Sequence, residues 1–197
     1  PVFRERATID AFLETLPFEL TTAQQNALND VLADLTEEQP MARLLQGDVG
    51  SGKTVVALAA MLGAVATGYQ AVLMAPTEVL AEQHFRTLCT LLSGEPEPPL
   101  NGLVNLPFLP QPLRVALLTG STRAKQRRDV LNAIQHGGTQ LIVGTHALIQ
   151  QGVEFQQLGL AVVDEQHRFG VMQRSALRDS EVRDGSTTKV DKGTRSP

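Results

Sequence analysis

The sequence predicts one α/β domain with a mostly parallel sheet and helices on both faces. Segments of strand length alternate with segments of helical apolar spacing, and the strand segments are continuous apolar runs. Such strands are buried on both faces, as they are where helical crossovers join them into a parallel sheet. The third observation is a glycine-rich motif, GDVGSGKT, placed between an apolar strand and a helix.

The composition is that of an ordinary globular domain. The chain has 197 residues, of which 42% are hydrophobic and 19% are charged. Its net charge of -4 gives no electrostatic footprint for nucleic acid, so any such binding needs local loops or other parts of the protein. One cysteine fits a reducing compartment, and no apolar run approaches the ~20 residues of a membrane span. We therefore expect a cytoplasmic protein with no membrane contact.

Two helices are predicted in the first 36 residues. Phe12, Leu13 and Leu16 have helical spacing, and Pro17 breaks that pattern. A second helix is predicted from about Thr22 to Leu35, with a threonine at its start as the N-cap.

Strands and helices then alternate across residues 37–180, the predicted main lobe. We predict strands at 42–46, 70–75, 114–120, 140–145 and 158–164, and helices at 53–68, 78–92 and 123–138. The strand at 158–164 is expected to be central in the sheet. Residues 93–112 contain six prolines and are predicted to form a surface loop inserted between a helix and a strand. Residues 181–197 have few apolar side chains and are expected to be a disordered or truncated tail.

The motif GDVGSGKT fits the phosphate-binding pattern G-x-x-x-x-G-K-[ST] in the strand-to-helix context that the pattern requires. Glycines let the backbone fold around phosphate oxygens, and the helix N-terminus directs free N–H groups at them. Lys53 is predicted to reach the β- and γ-phosphates, and the hydroxyl of Thr54 is predicted to bind Mg2+. The predicted nucleotide-binding residues are Gly47, Asp48, Val49, Gly50, Ser51, Gly52, Lys53 and Thr54.

Two acids follow the apolar strand LGLAVV, at the strand end that faces the ligand crevice in a parallel sheet. Asp164 is predicted to bind the same Mg2+ as Thr54. Glu165 is predicted to orient an attacking water and take its proton. The predicted catalytic residues are therefore Lys53, Asp164 and Glu165.

Five segments of the chain are GDVGSGKT, APTEVLAEQH, TGSTRAKQR, VGTHALIQ and VVDEQHRFGVMQR. They occur in the order of the superfamily 2 helicase motifs, and their sequences resemble those of the RecG family of ATP-dependent DNA helicases. The resemblance covers about Leu13 to Arg174 and implies a RecA-like P-loop NTPase fold. The transcription-repair coupling translocases are similar across the same segments, but they tend to have a second Glu where this chain has Gln166. That family and a non-catalytic nucleotide-binding module remain the alternatives.

The resemblance also assigns roles to further residues. Gln24 is expected to form hydrogen bonds with the adenine edge, with Phe18 or Leu20 packing nearby. Gln166 and His167 are expected to couple the nucleotide site to DNA. Three strand-end turns are expected to contact the DNA backbone, although each taken singly also fits a helix N-cap. The DNA-binding residues implied are Thr77, Glu78, Gly120, Ser121, Thr122, Arg123, Thr145 and His146.

The same resemblance implies ATP and Mg2+ as cofactors and branched or forked DNA as the partner. It implies a motor that remodels stalled forks and Holliday junctions in DNA repair and recombination. The second helicase lobe, which carries the arginine finger, and an N-terminal wedge domain are expected outside this sequence. The chain alone is expected to bind ATP·Mg2+ weakly and to hydrolyse it slowly or not at all.

Overall fold

The computed structural model describes residues 6–37, 41–48, 50–95, 102–145, 148 and 153–164. Five helices lie within these ranges: α1 Arg6–Thr15, α2 Thr22–Leu35, α3 Lys53–Ala66, α4 Glu78–Ser93 and α5 Ala124–Gln135. Five strands lie there as well: β1 Gln70–Ala75, β2 Leu103–Val104, β3 Leu113–Leu118, β4 Leu141–Thr145 and β5 Leu158–Val163. The predicted tail, 181–197, lies outside the described residues.

The strands form a five-stranded sheet in the order β2-β3-β4-β1-β5. β3, β4, β1 and β5 are parallel neighbours, and only the short β2 is antiparallel, at one edge. The predicted α/β class with a mostly parallel sheet is confirmed.

Helices cover both faces of the sheet, as predicted. In β1, Leu73 packs into the core shared with α1 to α4, whereas Val72 packs into the core beneath α5. This division follows from the strand geometry, because successive side chains point to opposite faces. In β5 the same alternation places Leu160 and Val162 on the α1–α4 face.

The helix predicted from Thr22 begins there because its first turn is capped. The Thr21 side chain accepts from the Gln24 N–H while the Gln24 side chain accepts from the Thr21 N–H, which is a capping box. α1 packs against α3, where Gly63 allows a close approach: a Cβ there would lie 3.0 Å from Cδ1 of Ile9.

The strand predicted at 42–46 is wrong. These residues have no strand assignment and are mostly exposed, and the Arg43 guanidinium instead bonds the Asp34 carboxylate of α2 at 2.6 and 2.9 Å. A strand requires a hydrogen-bonded partner, and none of the described strands pairs with this segment.

The central position predicted for the strand at 158–164 is also wrong for the described sheet. β5 pairs only with β1 there, lies at an edge, and has mainly half-buried side chains. An apolar run predicts burial, but it does not specify which strands will be the neighbours.

The proline-rich segment 93–112 is not wholly irregular. Leu103–Val104 adds a strand to the sheet edge, and both Val104 and Leu106 are buried. Gly102 has a φ of +64°, and a Cβ there would overlap the Val115 carbonyl oxygen, so glycine is required at this approach. The segment therefore contributes to the core, which the proline count did not predict.

Among the helices that the structure describes, none combines the length and apolar character needed to cross a membrane.

Candidate functional site

The carboxyl ends of four neighbouring parallel strands meet at one edge of the sheet. β4 ends at Thr145, which pairs with Ala75 at the end of β1. Asp164 directly follows β5, and its N–H donates to the Met74 carbonyl oxygen at 2.8 Å. Open parallel sheets bind ligands along this edge. It is therefore the candidate site.

The phosphate-binding motif GDVGSGKT, called the P-loop below, makes a tight turn into α3. Gly50 and Gly52 have φ values of 82° and 76°, in the left-handed region that favours glycine. Gly52 is the N-cap of α3 and supplies no side-chain cap, so the first-turn N–H groups lack a side-chain acceptor at this position. Such an uncapped N-terminus suits an anion. Val49 lies outside the described residues.

Lys53 folds back over this loop. Its Nζ donates to the Gly47 carbonyl oxygen at 2.6 Å, to the Asp48 carbonyl oxygen at 2.8 Å and to the Ser51 Oγ at 3.4 Å. Three oxygen atoms of the loop therefore hold the ammonium group. Phosphate oxygens can replace them as acceptors.

Thr54 and Asp164 belong to the same side of the sheet. Thr54 is half-buried in the first turn of α3, and α3 packs against both β1 and β5. Asp164 continues the alternation of Leu160 and Val162, whose side chains join the core beneath α3. A hydroxyl and a carboxylate are oxygen ligands of the kind that Mg2+ binds.

Gln24 connects α2 to the P-loop. Its Nε2 donates to the Ser51 carbonyl oxygen at 2.8 Å, and its Oε1 accepts from the Thr21 N–H at 2.8 Å. Within the described part of the chain, one N–H and one lone pair of the amide remain for a ligand such as the adenine edge. Phe18, in the turn before α2, exposes 46% of its surface.

His84 of α4 contacts Asp164, which the sequence did not predict. The Nε2 atom of His84 lies 2.8 Å from Oδ2 of Asp164, with side-chain exposures of 18% and 31%. One signal was available in the sequence: His84 is a polar residue on the stripe formed by Ala81 and Leu88, both buried. Its partner depends on how α4 packs on the sheet, which the spacing alone does not give.

Two of the predicted DNA-binding turns are joined through Glu78. Thr77 is the N-cap of α4, and its side chain accepts from the Leu80 N–H at 3.3 Å. Glu78 reaches the turn after β3, where its Oε1 accepts from the Ser121 N–H at 3.2 Å. Gly120 provides the room, because a Cβ there would lie 2.7 Å from that oxygen.

The turn after β3 is organised by its own hydroxyls. Thr122 Oγ1 accepts from the Thr119 N–H at 3.0 Å, and the hydroxyls of Thr119 and Ser121 lie 2.9 Å apart. Arg123 follows as the exposed N-cap residue of α5, without a side-chain cap bond. The turn therefore offers an exposed guanidinium next to a fixed backbone.

Thr145 differs from Thr77, because it is buried and only 5% exposed. The surface that it offers to a DNA strand is small. The remaining predicted site residues lie outside the described part of the chain: His146, Glu165, Gln166 and His167.

Cys89 of α4 is a core residue and is fully buried. Burial raises the pKa of its thiol to about 11, which keeps it protonated and unreactive near neutral pH.

A P-loop helix beside a parallel sheet, with an acid at a neighbouring strand end, defines the class of the protein. The family model described as DEAD/DEAH box helicase matches residues 21–189, and the chain belongs to that family.

The resemblance to RecG is confirmed by the relatives. The chain is 52% identical over 171 residues to the ATP-dependent DNA helicase RecG of Streptococcus pneumoniae serotype 4, covering 87% of this chain and 23% of the relative. It is 53% identical over 169 residues to the RecG helicase of Synechocystis, covering 86% of this chain and 18% of that relative. The chain thus spans about a fifth of the length of these relatives.

Two solved structures share the fold. The structure of RecG bound to a three-way DNA junction has a TM-score of 0.73 and 40% identity, covering 86% of this chain and 21% of that one. The UvsW helicase from bacteriophage T4 has a TM-score of 0.61 and covers 91% of this chain and 58% of that one. At 16% identity, the second similarity shows the fold alone.

Proposed function

We propose that this chain is the first motor lobe of an ATP-dependent DNA helicase or translocase that remodels branched DNA in repair and recombination. The relatives named RecG, one of them solved on a three-way DNA junction, support this over the coupling translocase. The observation that carries the proposal is one edge of the sheet, where the carboxyl ends of β4, β1 and β5 lie side by side. The helix that follows the P-loop, α3, packs against β1 and β5.

In this proposal the P-loop binds the ATP phosphates. The first-turn N–H groups of α3 point at them, and Lys53 exchanges the carbonyl oxygens of Gly47 and Asp48 for phosphate oxygens. The remaining N–H and lone pair of Gln24 pair with the adenine edge, and the exposed ring of Phe18 packs beside the base.

Thr54 and Asp164 fit Mg2+, since both supply oxygen donors on one side of the sheet. When bound, Mg2+ neutralises charge that develops on the transferred phosphate. Glu165 follows Asp164 in the sequence and orients the attacking water. The arginine finger that completes such sites comes from a second lobe in the longer protein.

The DNA backbone runs along the turn that begins at Thr77 and along the turn at Gly120–Arg123. Thr145 is buried and contributes little, and a contact with His146 rests on the sequence alone. Hydroxyls, backbone N–H groups and Arg123 contact phosphates, so binding has no sequence specificity. Glu78 supports this track by holding the Ser121 N–H, since a carboxylate would repel phosphate. With a net charge of -4, the chain binds DNA modestly, and the salt dependence is shallow because Arg123 is the one cation assigned to the track.

The test uses the 197-residue chain and a fluorescent three-way junction. We expect weakly salt-sensitive junction binding that weakens in Arg123→Ala and not in Arg86→Ala, an exposed arginine on α4 outside the proposed track. ATP turnover is expected to be slow or absent with or without DNA. Rapid DNA-stimulated ATP hydrolysis by this chain alone would contradict the proposal that a second lobe is needed. Unchanged junction affinity in Arg123→Ala would contradict the proposed track.

A further inference from the structure

His84 lies where an apolar residue would be expected. The sheet-facing stripe of α4 includes Ala81, Leu88 and Leu92, all buried, and His84 interrupts it. Its side chain is 18% exposed, and its Nε2 lies 2.8 Å from Oδ2 of Asp164.

The direction of this hydrogen bond follows from the chemistry of the two groups. An ionised carboxylate has acceptors only, so the imidazole donates from Nε2–H. Oδ2 of Asp164 is thereby engaged, while Oδ1 has no hydrogen-bond partner among the described residues and is open to another ligand. Successive side chains of β5 point to opposite faces of the sheet. Asp164 therefore points to the same face as Leu160 and Val162, which is the face that α4 covers and where His84 contacts it.

We propose that His84 is a positioning residue that fixes the Asp164 carboxylate for the metal of the nucleotide complex. The inference rests on the proposed function, in which Asp164 binds Mg2+. Carboxylates that bind metals are themselves hydrogen-bonded, and loss of such a partner typically lowers metal affinity by about 10- to 100-fold.

The helix that carries His84 also starts at the proposed DNA track. Thr77 caps α4, and Glu78 holds the Ser121 N–H. α4 therefore contacts Asp164 through His84 and the turn after β3 through Glu78.

The experiment uses ADP and Mn2+ as probes on the full 197-residue chain. Electron paramagnetic resonance gives the Mn2+ affinity of the chain·ADP complex, and a titration in chelator gives the metal-free ADP affinity. In His84→Leu the side chain keeps a similar volume but has no hydrogen-bond donor. In His84→Gln the side-chain amide supplies an N–H at about the position of Nε2. Asp164→Ala is the positive control, and His136→Ala, on an exposed residue after α5, is the matched control.

We expect His84→Leu to weaken Mn2+ binding by about 10-fold or more, with metal-free ADP affinity unchanged. His84→Gln should recover most of the loss, and His136→Ala should match the wild type. Wild-type Mn2+ affinity in His84→Leu, with loss only in Asp164→Ala, would overturn the role of His84 alone. Equal losses in the Leu and Gln variants would also overturn it. Wild-type protein without metal-dependent binding would overturn the proposed metal site and this inference together.

Discussion

Gln24 joins the N-terminal helices to the P-loop through both groups of its amide. Its Nε2 donates to the Ser51 carbonyl oxygen at 2.8 Å, while its Oε1 accepts from the Thr21 N–H at 2.8 Å. One side chain therefore caps α2 and restrains the phosphate-binding loop, and two substitutions can separate these effects.

Gln24→Glu should keep the cap and lose the restraint. A glutamate still accepts from the Thr21 N–H, as in other capping boxes, but it faces the Ser51 carbonyl without a donor. The lost hydrogen bond is present without ligand and is worth about 1 kcal/mol, so we expect Tm to fall by about 2–4 °C. ADP affinity should fall as well, because the adenine edge loses its N–H partner. Gln24→Ala should lower Tm further, because the cap is also lost. A Glu variant with wild-type Tm would contradict the restraint.

Gly120→Ala should affect the turn after β3 through Glu78. The new Cβ would lie 2.7 Å from Oε1 of Glu78, which now accepts from the Ser121 N–H. Gly120 is not among the glycines with positive φ, so the cost is steric and not conformational.

A double-mutant cycle measures this contact. We expect Gly120→Ala to destabilise the chain by about 1 kcal/mol in urea unfolding, and to cost much less in a Glu78→Ala background. Additive effects of the two substitutions would show that the contact does not exist in solution.

Gly52→Ala should abolish nucleotide binding. Gly52 has a φ of +76°, and a Cβ there would overlap Nε2 of Gln24. Gly68→Ala is the matched control, because its φ is +87° but its Cβ would meet nothing within 4 Å. Both should lose about 1 kcal/mol of stability from the left-handed backbone, but only Gly52→Ala should lose ADP affinity. Equal ADP affinity in the two variants would contradict the geometry of the P-loop.

Alkaline pH should destabilise the chain through Cys89. Burial raises the pKa of this thiol from 9.0 to about 11, so the unfolded state releases its proton first. Stability therefore falls as the pH rises from about 9 towards 11. Urea unfolding between about pH 7 and pH 10 should show a smaller loss for Cys89→Ala than for the wild type. An identical pH dependence in both would rule out the buried thiol as a cause.

Local signals predicted much of the fold. α2 starts at Thr22 because of its capping box with Thr21, and the strand predicted at 70–75 matches β1. These features depend on residues close in sequence, whose effects the sequence shows directly. The P-loop motif is equally local.

Features that depend on distant partners were not predicted. Residues 42–46 have the composition of a strand but pair with no described strand, and β5 lies at an edge of the described sheet. The contacts of His84 with Asp164 and of Glu78 with Ser121 each join side chains or turns from separate elements. Spacing within one element cannot reveal such pairs, because they arise only when helices pack on the sheet.

We expect the P-loop of this chain to bind a nucleotide through Lys53. Isothermal titration of the 197-residue chain with ADP, with and without Mg2+, measures this binding. We predict weak binding that is strengthened by Mg2+ and lost in Lys53→Ala, with Lys125→Ala, on an exposed lysine of α5, unchanged. Equal ADP affinity in Lys53→Ala and the wild type would contradict the account.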